Sequence, residues 1–172
     1  MNATYLVDPS TFPTRTEGLP WGGEEARCEV AGIGLQIEGL SWRQRECIES
    51  LFAASPTRPP PVAVSLFRVE PEAFRKIDTR GWTYSLDFDH GPNHTNLVGI
   101  DWMGRLAWHE HSVSAGVWIS TEEPGAFQGA FENFLRVLAA HVHLLEGGAL
   151  LHSAAVISDG FAHIFVGPSG AG

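Results

Sequence analysis

The sequence predicts an α+β fold: a β-rich N-terminal domain, residues 1–120, followed by a long helix and a β-hairpin within residues 121–172. Short runs of aromatic and β-branched residues, broken by glycine and proline, recur through the first two thirds of the chain. A strong helical repeat of apolar residues follows, and then two apolar runs joined by Asp-Gly. These observations together favour one sheet-containing body with few helices.

The first predicted elements are a strand, a short helix and a second strand. Residues 26–39 (ARCEVAGIGLQIEG) place apolar side chains at mostly alternating positions, which predicts one strand. Residues 41–52 (SWRQRECIESLF) predict a helix capped by Ser41, because a serine hydroxyl accepts a hydrogen bond from the first turn. Residues 62–69 (VAVSLFRV) predict the next strand, and residues 71–77 predict one or two helical turns.

Four further segments are predicted to be strands, and together they indicate an antiparallel meander. Their sequences are WTYSLDF, TNLVGIDWM, GRLAWHEH and AGVWIST, and turn-forming residues at HGPN, Gly104 and HSVSAG separate them. Each strand carries one tryptophan, at positions 82, 102, 108 and 118. These rings fill the core of the sheet in one interpretation and line a peptide groove in the other.

A long helix is predicted from about Thr121 to Glu146. Thr121 can cap it, Pro124 falls in the first turn, and its apolar side chains recur at helical spacing until Gly147 ends it. Two apolar segments, ALLHSAAVI and FAHIFV, then flank an Asp-Gly pair that predicts a tight turn. Because both runs are almost continuously apolar, they predict two antiparallel strands buried on both faces.

Composition and charge exclude several classes of partner. Eleven Lys and Arg against twenty Asp and Glu give a net charge of -9, without a basic stripe. We therefore expect no nucleic-acid partner and no membrane partner. The sequence also lacks a leader-type segment and an apolar run of bilayer length, so we expect a cytoplasmic protein. Cys28 and Cys47 are expected to be free thiols, and the oligomeric state stays open.

The segment FVGPSGAG, residues 165–172, carries the G-x-x-x-x-G spacing of a phosphate-binding loop from Gly167 to Gly172. The same spacing occurs at Gly18 and Gly23, at Gly34 and Gly39, and at Gly99 and Gly104. Only the last match follows a short apolar strand and encloses small residues that let the backbone approach an anion. The alternative is a strand that runs into a flexible glycine tail.

Residues 132–172 (ENFLRVLAAHVHLLEGGALLHSAAVISDGFAHIFVGPSGAG) resemble the start of the kinase domain in the bacterial HPr kinase-related proteins. In that family a hydrophobic helix leads to LLH-S/A-A-A-V, a DG-type turn, an apolar strand and GPSGAGKST. The resemblance covers roughly the last quarter of the chain. It implies an α/β P-loop kinase fold of the HPr kinase and phosphoenolpyruvate carboxykinase type.

The same resemblance implies a function and a set of site residues. It implies ATP, Mg²⁺ and phosphoryl transfer to a hydroxyl, often of a serine in a protein or peptide substrate. The nucleotide-binding residues it implies are Gly167, Ser169, Gly170, Ala171 and Gly172. The lysine and Ser/Thr of the family motif would follow Gly172, so we expect a protein that continues past this point and a 172-residue chain that is inactive by itself.

His152, in the first predicted strand of the hairpin, is the candidate catalytic residue. The resemblance implies a histidine near the phosphates that hydrogen-bonds an oxyanion or steers a proton. The alternative is a histidine that is hydrogen-bonded inside a sheet. We expect the hairpin to place its strand beside the strand that enters the glycine segment.

Two other functional hypotheses stay open. The β-rich region could be a non-catalytic peptide- or protein-binding module with a degenerate nucleotide site, or a purely structural domain with an incidental glycine tail. A metal site is the weaker alternative, since no third anchor is evident for two clusters of ligand-type residues. Those clusters are Asp87, Asp89, His90 and His94, and His109, Glu110 and His111.

Overall fold

The computed structural model describes residues 18–52, 62–70, 87–99, 102–110, 112–149 and 154–165. Two compact units divide the chain, residues 1–139 and residues 140–172. Within the described residues, the first unit contains a seven-stranded sheet and helices, and the second contains the end of the long helix and a two-stranded sheet. The predicted α+β class is confirmed at this level.

The strands and helices have these bounds: β1 Glu24–Val30, β2 Ile33–Leu40, α1 Trp42–Leu51, β3 Val62–Arg68, β4 Asp87–His90, β5 His94–Gly99, β6 Trp102–His109, β7 Ser112–Ile119, α2 Pro124–Leu145, β8 Ala154–Ser158 and β9 Phe161–Phe165. The large sheet has the strand order β1-β2-β3-β7-β6-β5-β4. Strand β3 pairs in parallel with both β2 and β7, and the other neighbours are antiparallel. The parallel pairs join the N-terminal hairpin to the meander.

The prediction of one strand over residues 26–39 is wrong, because this segment turns back on itself. Ala31 and Gly32 both have positive φ, 51° and 77°, and they connect β1 to β2 as a two-residue turn. Val30 pairs with Ile33 next to this turn. Positive φ at both central positions is typical of the tight turns that match the twist of a hairpin.

The antiparallel meander is confirmed for β4 to β7, but the predicted breaks at HSVSAG and Gly104 are wrong. Strand β7 already begins at Ser112, and the chain leaves the sheet between the end of β5 at Gly99 and the start of β6 at Trp102. The predicted helical turns at 71–77 and residues 82–86 of the predicted strand WTYSLDF lie outside the described residues.

Gly104 lies inside β6, where it pairs with Leu97 on one side and Val117 on the other. A Cβ atom at Gly104 would lie 3.1 Å from the ring of Phe134 in α2. The missing side chain therefore allows the helix to approach the sheet closely, which is a second reason for glycine in a strand.

Both helices begin with a capping side chain, but the residue that caps α2 differs from the predicted one. Ser41 accepts a hydrogen bond from the backbone of Gln44, whose side chain accepts one from the Ser41 backbone, so the predicted cap of α1 is confirmed. Helix α2 begins at Pro124, and Glu123 rather than Thr121 caps it by accepting from the Ala126 N–H. The carboxylate at this position also complements the positive end of the helix.

The core of the first unit lies between the sheet and α2. Phe127, Phe131 and Phe134 of α2 are almost fully buried, and Phe134 meets the ring of Trp102 edge-on at 5.9 Å. On the opposite face of the sheet, Trp118 stacks on Phe67 at 5.1 Å. The sheet therefore has one face that α2 covers and a second face on which Trp118 and Phe67 stack.

Candidate functional site

The hairpin before the glycine-rich segment is present. Strands β8 and β9 pair antiparallel from Ala154 with Phe165 to Ser158 with Phe161. Asp159 and Gly160 connect them with φ of 52° and 79°, as the Asp-Gly pair predicts. Strand β9 ends at Phe165, two residues before Gly167 in the sequence.

The predicted site residues themselves lie outside the described residues. They are His152 and the glycine-rich residues Gly167, Ser169, Gly170, Ala171 and Gly172. In the sequence, His152 precedes the start of β8 by two residues, and Gly167 follows the end of β9 by two residues. The ladder thus pairs the two strand ends from which both predicted site segments continue.

The expectation that the hairpin is buried on both faces is wrong for its described side chains. Val156, Ile157, Phe161 and Ile164 expose 57%, 80%, 72% and 55% of their surface. These side chains alternate along the two strands, so both faces of the hairpin carry exposed apolar groups. An apolar strand sequence indicates that the side chains favour burial. They become buried only where a neighbouring element covers them.

The candidate metal ligands that the structure describes lie on different faces of the sheet or apart from one another. Within the described residues, no group of three His, Cys, Asp or Glu side chains is arranged to hold a metal ion. His90 lies opposite Thr95 and contacts its hydroxyl at 3.0 Å, whereas Asp89 and His94 belong to the other face of the sheet. His111 and the side chain of Asp87 lie outside the described residues.

The tryptophans of the meander divide between core and surface. Trp102 and Trp118 are almost fully buried, in agreement with the core interpretation for these two rings. Trp108 is half-buried, and Trp82 lies outside the described residues. Trp102 and Trp118 therefore do not line an exposed groove for a peptide.

A row of polar residues crosses the sheet face opposite α2, and the sequence analysis missed it. Asp89, Asn96 and Arg105 occupy directly paired positions on β4, β5 and β6. The Asn96 amide donates to Asp89 Oδ2 at 3.0 Å, and Arg105 Nε donates to Asn96 Oδ1 at 2.8 Å. The charged Arg105 in the middle of an otherwise apolar strand is the sequence signal that points to this row.

The row continues beyond Arg105 through strand pairing. Arg105 pairs with Gly116 on β7, Gly116 pairs with Ser65 on β3, and Ser65 pairs with Glu38 on β2. The Ser65 hydroxyl donates to Glu38 Oε1 at 2.6 Å. Arg105 thus lies on one side of Gly116, and Ser65 and then Glu38 lie on the other, while the rings of Trp118 and Phe67 fill the space above Gly116.

A groove of about 440 Å³ lies between α1 and the start of α2. Its lining residues are Trp42, Arg43, Glu46, Cys47, Ser50, Pro124 and Gln128. Burial, and to a smaller extent the charge of Glu132, raises the pKa of the Cys47 thiol. Because the thiolate is the reactive form, Cys47 is not an activated nucleophile in this groove.

Comparisons with protein-family models, curated proteins and solved structures found no match to this chain. No helix among the described residues combines the length and apolar character needed to cross a lipid bilayer.

Proposed function

We propose that this sequence forms the N-terminal part of an ATP-dependent kinase related to HPr kinase, which transfers the γ-phosphoryl group to a hydroxyl of a protein or peptide. The observation that carries the proposal is the hairpin β8–β9, whose second strand leads directly into G-x-x-x-x-G. Phosphate-binding loops of this type follow a strand, so the loop spacing and its structural context agree.

The composition of residues 167–172 suits contact with phosphate oxygens. After Pro168 the segment contains only serine, glycine and alanine, so its backbone N–H groups can approach an anion closely. In this proposal Gly167, Ser169, Gly170, Ala171 and Gly172 hold the phosphates of ATP. The lysine and hydroxyl of a complete loop contact the outer phosphates and Mg²⁺, and ATP with Mg²⁺ supplies the phosphoryl group.

His152 is proposed to act beside the phosphates. What supports this role is that Ala154 at the start of β8 pairs with Phe165 at the end of β9, and that in the sequence His152 precedes Ala154 and Gly167 follows Phe165. An imidazole there could donate a hydrogen bond to the transferring group, whose negative charge is spread over its outer oxygens. The role assigned to His152 is stabilisation of this charge.

The amino acids encoded after Gly172 test the proposal first. Lysine followed by serine or threonine is expected, because a phosphate-binding loop needs both the charge and the metal-binding hydroxyl. Any other pair would contradict ATP-dependent transfer and favour a binding module with a degenerate nucleotide site. In the encoded full-length protein, conversion of ATP to ADP with Mg²⁺ present is the matching activity measurement.

A further inference from the structure

We propose that the groove between α1 and the start of α2 binds a basic side chain, lysine or arginine, of a partner peptide. Its described lining residues all belong to the first unit, so the site does not depend on the hairpin β8–β9 or the glycine-rich segment. Three features carry the inference: the size and position of the groove, an exposed indole in its lining, and the charges around it.

The groove lies where the two helices meet. The Cys47 sulfur of α1 is 3.9 Å from the carbonyl oxygen of Pro124, the first residue of α2. Along α1 the groove is lined by Trp42, Glu46 and Ser50, whose four-residue spacing places them on one face of the helix. Its volume of about 440 Å³ falls among those of ligand-binding clefts. A single long side chain therefore fits.

Trp42 gives this groove an apolar surface that attracts cations. Its side chain is 57% exposed, although tryptophan is buried to a large extent in most proteins. The guanidinium carbon of Arg43 lies 5.5 Å from the centre of the indole ring, so this ring already attracts one cation. The exposed part of the ring leaves room for the methylene stem of a lysine or arginine, with the charged end beyond it.

Glu46 supplies the negative charge for that end. It lies one helical turn after Trp42, is exposed, and forms no ion pair with any residue in the described part of the chain. The carboxylates of Glu24 and Glu49, by contrast, are both paired with Arg45. A carboxylate that is not neutralised, beside an indole, suits a cation on an apolar stem.

The other charges around the groove do not oppose a cation. Arg43, the one cation among the described lining residues, lies 3.8 Å from the Glu122 carboxylate, which balances its charge. The positive end of α2 is complemented by Glu123, which caps it. The negative charge of Glu132 reaches the groove, since after burial it is the second cause that raises the pKa of the Cys47 thiol. A net charge of -9 further favours a basic partner over an acidic one.

Nuclear magnetic resonance titration of the 172-residue protein with blocked alanine–X–alanine tripeptides tests this site. With lysine or arginine as X, a saturable shift of the Trp42 indole N–H signal is expected, with a dissociation constant on the order of millimolar because exposed cation–π and ion-pair contacts are weak. Norleucine keeps the stem of lysine without its charge and should bind at least fivefold more weakly. Saturable binding of neither basic peptide, or equal binding of the norleucine or glutamate peptide, would overturn the proposal.

Two variants of α1 separate this site from general charge attraction. Glu46→Gln removes the charge from the groove at nearly constant size, so affinity for the lysine peptide should fall at least threefold. Glu49→Gln is the matched control, because it removes the same charge from the same helix outside the groove lining, and affinity should change less than twofold. Circular dichroism checks that both variants fold. Equal affinity in wild type and Glu46→Gln, or equal losses in the two variants, would overturn the proposal.

Discussion

Replacement of Phe134 by alanine should destabilise the first unit strongly. Phe134 is fully buried, meets Trp102 edge-on and lies over Gly104, which has no side chain to fill the space that is vacated. Phe→Ala changes in cores cost about 3–5 kcal/mol, and limited collapse favours the upper half of that range. At roughly 2–4 °C per kcal/mol for a chain of this size, Tm should fall by about 10–15 °C.

Thermal unfolding followed by circular dichroism, together with urea denaturation, measures this effect. Leu144→Ala is the matched control on the same helix, because Leu144 is 63% exposed and its loss should change the free energy of unfolding by under about 0.5 kcal/mol. A loss below about 1 kcal/mol for Phe134→Ala would refute the packing of α2 on β6.

The remaining predictions concern thiols and the candidate catalytic histidine. Burial raises the pKa of Cys28 to about 11 from 9.0, so its thiolate fraction near pH 8 should be about a hundredfold lower than that of an open thiol. A thiol reagent should therefore modify half-buried Cys47 first and Cys28 only after unfolding, and equal rates in the native protein would contradict the burial of Cys28. The fold favours the neutral Cys28 thiol, so its contribution to stability is complete below pH 9.0 and is lost as pH rises toward 11; urea denaturation of wild type against Cys28→Ala measures this loss. In the full-length enzyme, His152→Ala should lower turnover roughly ten- to a thousandfold with ATP affinity within a few fold, as for a transition-state contact. Unchanged turnover in both His152→Ala and His152→Gln would remove this residue from the catalytic site.

Local chemistry made several elements predictable from the sequence. Three of these signals act on backbone groups only a few residues away, and each lies where the structure begins a helix or turns the chain. They are the hydroxyl of Ser41, the ring of Pro124 and the Asp159–Gly160 pair. Gly104 was misread because glycine also serves where a helix approaches a strand. That role depends on Phe134, thirty residues away in sequence.

The polar row could not be read from the sequence because it depends on long-range register. Arg105 and Gly116 meet through a hairpin, but Gly116 meets Ser65 only because β7 pairs in parallel with β3, which is distant in the chain. A shift of one residue in that register would move Ser65 to the other face. Local patterns indicate that a strand exists, whereas neighbour and register are set by the packing of the whole sheet.

The affinity of the encoded full-length protein for ATP with Mg²⁺, measured by isothermal titration calorimetry in wild type and Gly170→Ala, tests the proposed function most directly. Wild type should bind ATP, and Gly170→Ala should weaken binding at least tenfold, because a Cβ atom keeps the loop backbone from the phosphates. Gly129→Ala, at an exposed helical position where an added Cβ meets open space, is the matched control and should leave affinity unchanged. Absence of ATP binding to wild type, or equal affinity in wild type and Gly170→Ala, would contradict the proposed phosphate-binding role of residues 167–172.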